Sequence, residues 1–383
     1  MQWMTYGAVT SAVVLVGLAV GVSLPLLSLR LAAWGYGPFA IGLMAAMPAV
    51  GILLGARLTG PLASRTGSRA ALQLCLLVSA LSLLGVLLFQ SYGLWLLLRL
   101  LLGLALTIVF VLGESWINQL VVDAWRGRLV ALYGTAFAVS QLSGPLLLGV
   151  LGSEGDGGFW VAIGLLLLGP LLLIGREGAP QVERQAMVAS GLLTFCRAQP
   201  AIAWAMVLFA AFEALILTLL PVYLLQEAFP QPRVLQMTSA VVVGNALLQL
   251  PIGLLADRLP RIALFRACTA LLLLSSLALP LLLHTPLIWP LLLLFGASAG
   301  GLYTLALILI GERYRDDALV RANAHIAQLW GLGCLLGPLL SGAGSQWLSG
   351  HALPGSMALG ALMLLLLAAR PQGLARYPAP PPH

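Results

Sequence analysis

The chain contains no lysine; all 19 of its basic residues are arginine. Charge of either sign is scarce, at 8% of 383 residues where a soluble domain carries roughly a quarter. A soluble fold of this length has no means of hiding a composition that is 61% hydrophobic, because surface-to-volume scaling leaves too much of it wet. The formal charge of +7 does not mark a nucleic-acid binder, since the arginines stand singly between apolar runs and form no phosphate-binding stripe. The four cysteines, Cys75, Cys196, Cys268 and Cys334, lack metal-ligand spacing and read as reduced and structural. A nucleotide-binding loop, a metal cluster and a nucleophile elbow are also missing. Neither ATP hydrolysis nor enzyme chemistry is therefore expected, and no cofactor or metal is implied. Met1 to Tyr6 has no basic region and no small-residue cleavage site follows, so the first apolar run is expected to stay as a helix.

What the chain does have is one long apolar run after another. With about 20 residues per bilayer crossing, twelve spans fit, at 7–29, 39–60, 70–90, 93–117, 129–151, 158–175, 200–225, 235–256, 262–283, 287–311, 321–348 and 352–369. An even count puts both termini on one side. Sixteen arginines then fall on one face, only Arg30 and Arg233 on the other, and Arg99 inside a span. The positive-inside rule makes the termini cytoplasmic. The expected architecture is an all-α membrane protein of two six-helix bundles, 1–175 and 200–370, joined by a cytoplasmic linker at 176–199. A proline-rich tail at 371–383 is expected to be unstructured. Trp34, Tyr36, Tyr92, Trp95, Trp160, Trp289 and Trp347 fall near span ends, as an aromatic belt would.

The halves repeat. Gly60-Pro-Leu-Ala-Ser64-Arg65 matches Gly253-Leu-Leu-Ala-Asp257-Arg258, and Gly144-Pro145-Leu-Leu matches Gly337-Pro338-Leu-Leu, both at an offset of 193. A third pair, Gly113-Glu114 and Gly311-Glu312, stands at 198 and requires loops of different length in the two halves. Parallel six-helix repeats are one plan for secondary transporters, with the substrate site between the halves.

These stretches resemble the major facilitator superfamily over essentially the whole chain. That family's loop after span two reads Gly-x-x-x-Asp-Arg-x-Gly-Arg; here Ser64 replaces the acid in the first copy, and Pro260 replaces the second glycine in the other. Arg99-x-x-x-Gly103 in span four is similar to the family's arginine-glycine signature. Gly144-Pro145 and Gly333-x-x-x-Gly337-Pro338 are similar to the glycine-proline signature of antiporters. Within the superfamily the chain resembles the YcaD-like branch of bacterial transporters, through stretches such as Gln249-Leu-Pro-Ile-Gly-Leu-Leu-Ala-Asp-Arg. The resemblance implies the major facilitator fold and a mechanism class, but no particular cargo.

Two charges inside spans are the first candidates for coupling. Arg99 lies about six residues into span four, where insertion costs roughly 2.5–3.5 kcal/mol at the centre and less near an end. The bland alternative is an arginine snorkelling to the headgroups. Glu213 sits mid-span in span seven, where an ionised carboxyl is costly, so it suits a proton that comes and goes or a cationic substrate. Its bland alternative is a permanently protonated carboxyl bonded between helices. Arg65, Arg69, Glu114, Arg126, Asp257, Arg258, Arg261, Glu312 and Arg321 cluster at the cytoplasmic span ends, where ion pairs would latch a gate; plain positive-inside charge is the alternative. Gly103, Gly144, Pro145, Gly337 and Pro338 are expected to kink helices or bring them close.

The expected function is secondary transport by alternating access in a bacterial inner membrane. Proton-coupled export of a small hydrophobic or amphiphilic compound leads; uptake of a nutrient or organic ion, and lipid scrambling, remain alternatives. The expected partners are that small molecule, protons and membrane lipid, with the protein a monomer and no nucleic acid involved.

Overall fold

A computed structural model describes residues 3–121, 126–152, 155–176, 191–314, 316–345 and 351–369, without the side chains of 56, 126–128, 130–131, 248–250 and 316–320. The expected tail, most of the expected linker and the Arg126 side chain lie outside the described residues. Every described element is helical. The first set is α1 (Trp3–Ala33), α2 (Pro38–Thr66), α3 (Ser68–Leu88), α4 (Tyr92–Leu120), α5 (Arg126–Leu142), α6 (Gly144–Leu151) and α7 (Gly157–Leu172). After them come α8 (Leu192–Ala198), α9 (Pro200–Gln226), α10 (Gln231–Ala256), α11 (Arg261–Leu282), α12 (Ile288–Arg313), α13 (Asp316–Gly344) and α14 (Ala352–Ala369). Among the described residues, eleven segments are long and apolar enough to cross a membrane, and the sixth predicted span appears as the shorter apolar helix α7. Several helices overrun their predicted spans, because hydropathy marks what lipid covers whereas backbone hydrogen bonding continues beyond it.

Contacts divide the chain into two compact units, Met1–Met187 with Glu227–Ser239, and Val188–Gln226 with Ala240–His383. The 193-residue offset seen in two motifs recurs at several helix boundaries. Helices α1 and α9 end at Ala33 and Gln226; α2 and α10 start at Pro38 and Gln231; α3 and α11 start at Ser68 and Arg261. Likewise α4 and α12 end at Leu120 and Arg313, and α6 and α13 end at Leu151 and Gly344. Because that register holds on both sides of Gly113, the looser pairing of Glu114 with Glu312 is not part of the repeat. The counterpart of Glu312 is Gln119.

Close backbone approach explains why the register survives. A Cβ on Gly103 would overlap the carbonyl of Pro48, and one on Gly51 would overlap that of Leu100, so α2 and α4 cross with main chains in contact. The same overlaps recur 193 residues later, Gly296 with Val241 and Gly244 with Leu293, where α10 crosses α12. Small residues at such crossings replace the hydrophobic drive that lipid does not supply between helices. A second crossing joins α1 to α5 and α6 through Gly17, Gly21 and Gly144, and α9 to α13 through Ala210, Ala211, Gly333 and Gly337.

The two Gly-Pro sites differ. The helix is interrupted at Ser143 ahead of Pro145, whereas α13 runs unbroken through Pro338. Ser140 and Ser143 donate hydroxyls to the carbonyls of Phe137 and Val139, both at 2.7 Å, and such back-bonding bends helices. Their counterparts, Gly333 and Leu336, have no hydroxyl to donate.

Candidate transport site

In the second unit, Glu213 stands about midway along α9. Among the described residues nothing hydrogen-bonds or ion-pairs with its carboxyl. Tyr303 of α12 and Cys334 of α13 lie within electrostatic range of it. One turn back on α9, buried Phe209 stacks on Tyr303 with centroids 4.6 Å apart. Trp330 of α13 meets both rings edge-on, at 5.5 Å from Phe209 and 5.7 Å from Tyr303. Phe212 extends the group to Phe295 at 5.0 Å. Phe209 and Phe212 are fully packed, while Glu213, Tyr303, Trp330 and Cys334 keep partial exposure. The result is a half-open aromatic recess with one carboxyl at its side.

In the first unit, Arg99 is only 2% exposed, so its side chain does not reach the surface as a snorkelling arginine would. Its Nε is buried without a hydrogen-bond partner, and no ion pair to it is found among the described residues. Phe110 of α4 meets Phe137 of α5 edge-on at 4.5 Å. These are the positions of Tyr303 and Trp330 less 193, so both units hold a perpendicular aromatic pair at the same place in the repeat.

The predicted gate residues are only partly brought together. Arg261 pairs with Glu312 and approaches Asp257 at 3.8 Å, tying the start of α11 to the end of α12. In the first unit the three matching positions are Ser68, Gln119 and Ser64, none of them charged. Arg69 donates instead to the Arg176 carbonyl at 3.0 Å. Glu114 is exposed near Tyr133, and exposed Arg65, Arg258 and Arg321 make no side-chain bond among the described residues. On α8, ahead of α9, Phe195 packs on His325 at 5.3 Å, and Arg313 donates to Gln199.

Three features escaped the sequence reading. Trp95 looked like a belt residue but is fully buried, donating Nε1 to the Phe89 carbonyl at 2.6 Å. Arg30 is held by Asp156 at 2.5 Å and lies over the Phe159 ring at 4.7 Å, clasping α1 to α7. The aromatic recess had a usable signal, since the offset that aligned the Gly-Pro pairs also aligns Phe110 with Tyr303 and Phe137 with Trp330.

Comparison with known proteins gives the family and the fold. The Major Facilitator Superfamily model matches the chain twice, over residues 9–235 and 231–383. An MFS-type transporter named YcaD from Escherichia fergusonii is 28% identical over 330 residues, covering 86% of this chain and 85% of that protein. Among solved structures, a D-xylose–proton symporter superposes with a TM-score of 0.75 at 17% identity, over 96% of each chain. The nucleoside transporter NupG gives 0.72 at 15% identity, over 96% of this chain and 99% of its own. These two show a shared fold and nothing of cargo. The chain belongs to the major facilitator superfamily of transporters and is a multi-pass protein of the bacterial inner membrane.

Proposed function

We propose that this transporter is a proton-coupled exporter of a small hydrophobic or amphiphilic compound, working by alternating access between two six-helix bundles with both termini cytoplasmic. The observation that carries the reading is Glu213, a mid-helix carboxyl without a bonded partner, set beside partly exposed aromatic rings. A charge in hydrocarbon is costly unless paired. Glu213 therefore holds a proton when its recess is empty of positive charge and gives it up when a substrate or the opposite aqueous side offers compensation. The apolar lining favours compounds that partition into lipid over hydrogen-bonding sugars. Arg99 supplies a fixed positive charge in the other bundle. Asp257, Arg261 and Glu312 brace the neighbouring helix ends within the second bundle at the cytoplasmic side.

The test is purified protein in liposomes with an internal pH dye, screened with lipophilic cations, sugars and organic acids. Substrate-dependent proton flux that disappears in Glu213→Gln is expected. Transport that proceeds without proton flux, equally in the native protein and in Glu213→Gln, would refute coupling at this residue. Accumulation in intact cells gives the direction, since export lowers it and uptake raises it.

A further inference from the structure

We propose that Glu213, Tyr303 and Trp330 form a recognition site for organic cations carrying aromatic rings, so that positive charge and not hydrophobicity alone selects the cargo. This rests on the reading of the Glu213 recess as the substrate site. The rings have a fixed arrangement. Phe209 is the packed floor, Tyr303 lies parallel to it, and Trp330 stands nearly perpendicular to both, at 66° and 71°. A face of Trp or Tyr presents the negative part of the ring quadrupole, which attracts cations and is worth more where water is excluded. Perpendicular rings give a corner, and a corner accepts a substituted cation on two sides at once.

The carboxyl completes the case. It is four residues from Phe209, hence on the same face of α9. Tyr303 and Cys334 lie in electrostatic range of it, and no arginine bonds it among the described residues. A carboxyl without a resident cation, beside π faces, has the charge pattern of a vacant counter-ion site. An organic anion meets repulsion from the ring faces and keeps the carboxyl protonated, and a neutral sugar gives it no positive charge to pair with. The repeat sharpens the assignment, because the first unit keeps the ring pair as Phe110 and Phe137 but has Val20 where Glu213 stands. Aromatic contact is thus common to both units, whereas cation recognition belongs to the second.

The experiment measures equilibrium binding of radiolabelled tetraphenylphosphonium to the full chain in nanodiscs, blanked against empty discs and with no ion gradient. Tetraphenylborate, of the same shape and opposite charge, is the competitor. Saturable binding of the cation is expected, with the borate at least tenfold weaker. Glu213→Gln and Trp330→Leu should each weaken the cation at least tenfold, while Trp330→Phe and Tyr303→Phe, which keep the ring faces, should stay within about threefold. Each variant is checked for monodisperse elution and an unchanged melting temperature. If Trp330→Leu does not fold, Glu213→Gln and the borate comparison still decide the matter. Absence of saturable binding, equal binding of the borate, or indifference to Glu213→Gln would each overturn the proposal. Binding is read without a gradient, so proton coupling can fail while the cation site stands, and the site can fail while coupling to another cargo stands.

Discussion

Where the second bundle carries Glu213 the first carries Val20, and where the first carries Arg99 the second carries Leu292. Ser64, Ser68 and Gln119 in the first bundle answer Asp257, Arg261 and Glu312 in the second. Yet the backbone crossings at Gly51 and Gly103 recur at Gly244 and Gly296 against the same neighbours, 193 residues on. The difference separates two kinds of requirement. Main chains in contact tolerate no added side chain, so the glycines where α2 crosses α4 recur where α10 crosses α12. Charges act one at a time, so one bundle holds a cation, the other an anion and an ion-paired corner.

The most damaging test of that contrast is at the crossings. Gly103→Val and Gly296→Val should both lose folded protein, each costing more than the roughly 1–3 kcal/mol of ordinary overpacking, since backbone has little room to yield. Gly60→Ala, where a Cβ meets open space, should leave yield and melting temperature nearly unchanged. Unequal losses at Gly103 and Gly296 would break the scaffold equivalence. Next in size is an exchange of the acid. Glu213→Val combined with Val20→Glu should not restore substrate-dependent proton flux, because Cys334 and Tyr303 are replaced by Gln141 and Phe110 around the new position. Restored flux in liposomes would show the bundles to be interchangeable.

Smaller effects come from the ion pairs. Arg261→Ala should cost about 0.2–1 kcal/mol, discounted for partial exposure and smaller still at high salt, as read from melting in low and high ionic strength. The triple change Ser64→Asp, Ser68→Arg and Gln119→Glu should raise the melting temperature slightly by copying the corner into the first bundle. No gain would mean that the corner depends on more than its three charges. Smallest is Asp156→Asn, which weakens the clasp on Arg30 while leaving its stacking on Phe159; a shift of at most a few degrees is expected.

Much of the scaffold was legible because apolar run length and the Gly-Pro spacing are properties of the chain itself. The twelve-span plan and the offset came from those two signals alone. Trp95 was misread because an indole near a span end looks the same whether it faces headgroups or a neighbouring helix; the Phe89 carbonyl that accepts its proton is settled only in three dimensions. The pairing of Glu114 with Glu312 was misread because two Gly-Glu pairs look alike, while the helix ends at Leu120 and Arg313 show which residues correspond. Glu213 stood out as a lone acid in an apolar run. Its aromatic neighbours come from helices far along the chain, and an aromatic residue within a span carries no mark of whether it meets lipid or a partner ring.

The buried Arg99 has an electrical consequence. A guanidinium remains charged at neutral pH, and an elementary charge crossing the whole membrane field exchanges about 2.3 kcal/mol per 100 mV. If the first bundle tilts so that Arg99 traverses about a fifth of that field, the energy is roughly 0.5 kcal/mol per 100 mV, enough to shift a two-state population about twofold. On that condition the voltage dependence would originate in α4, where Arg99 is buried.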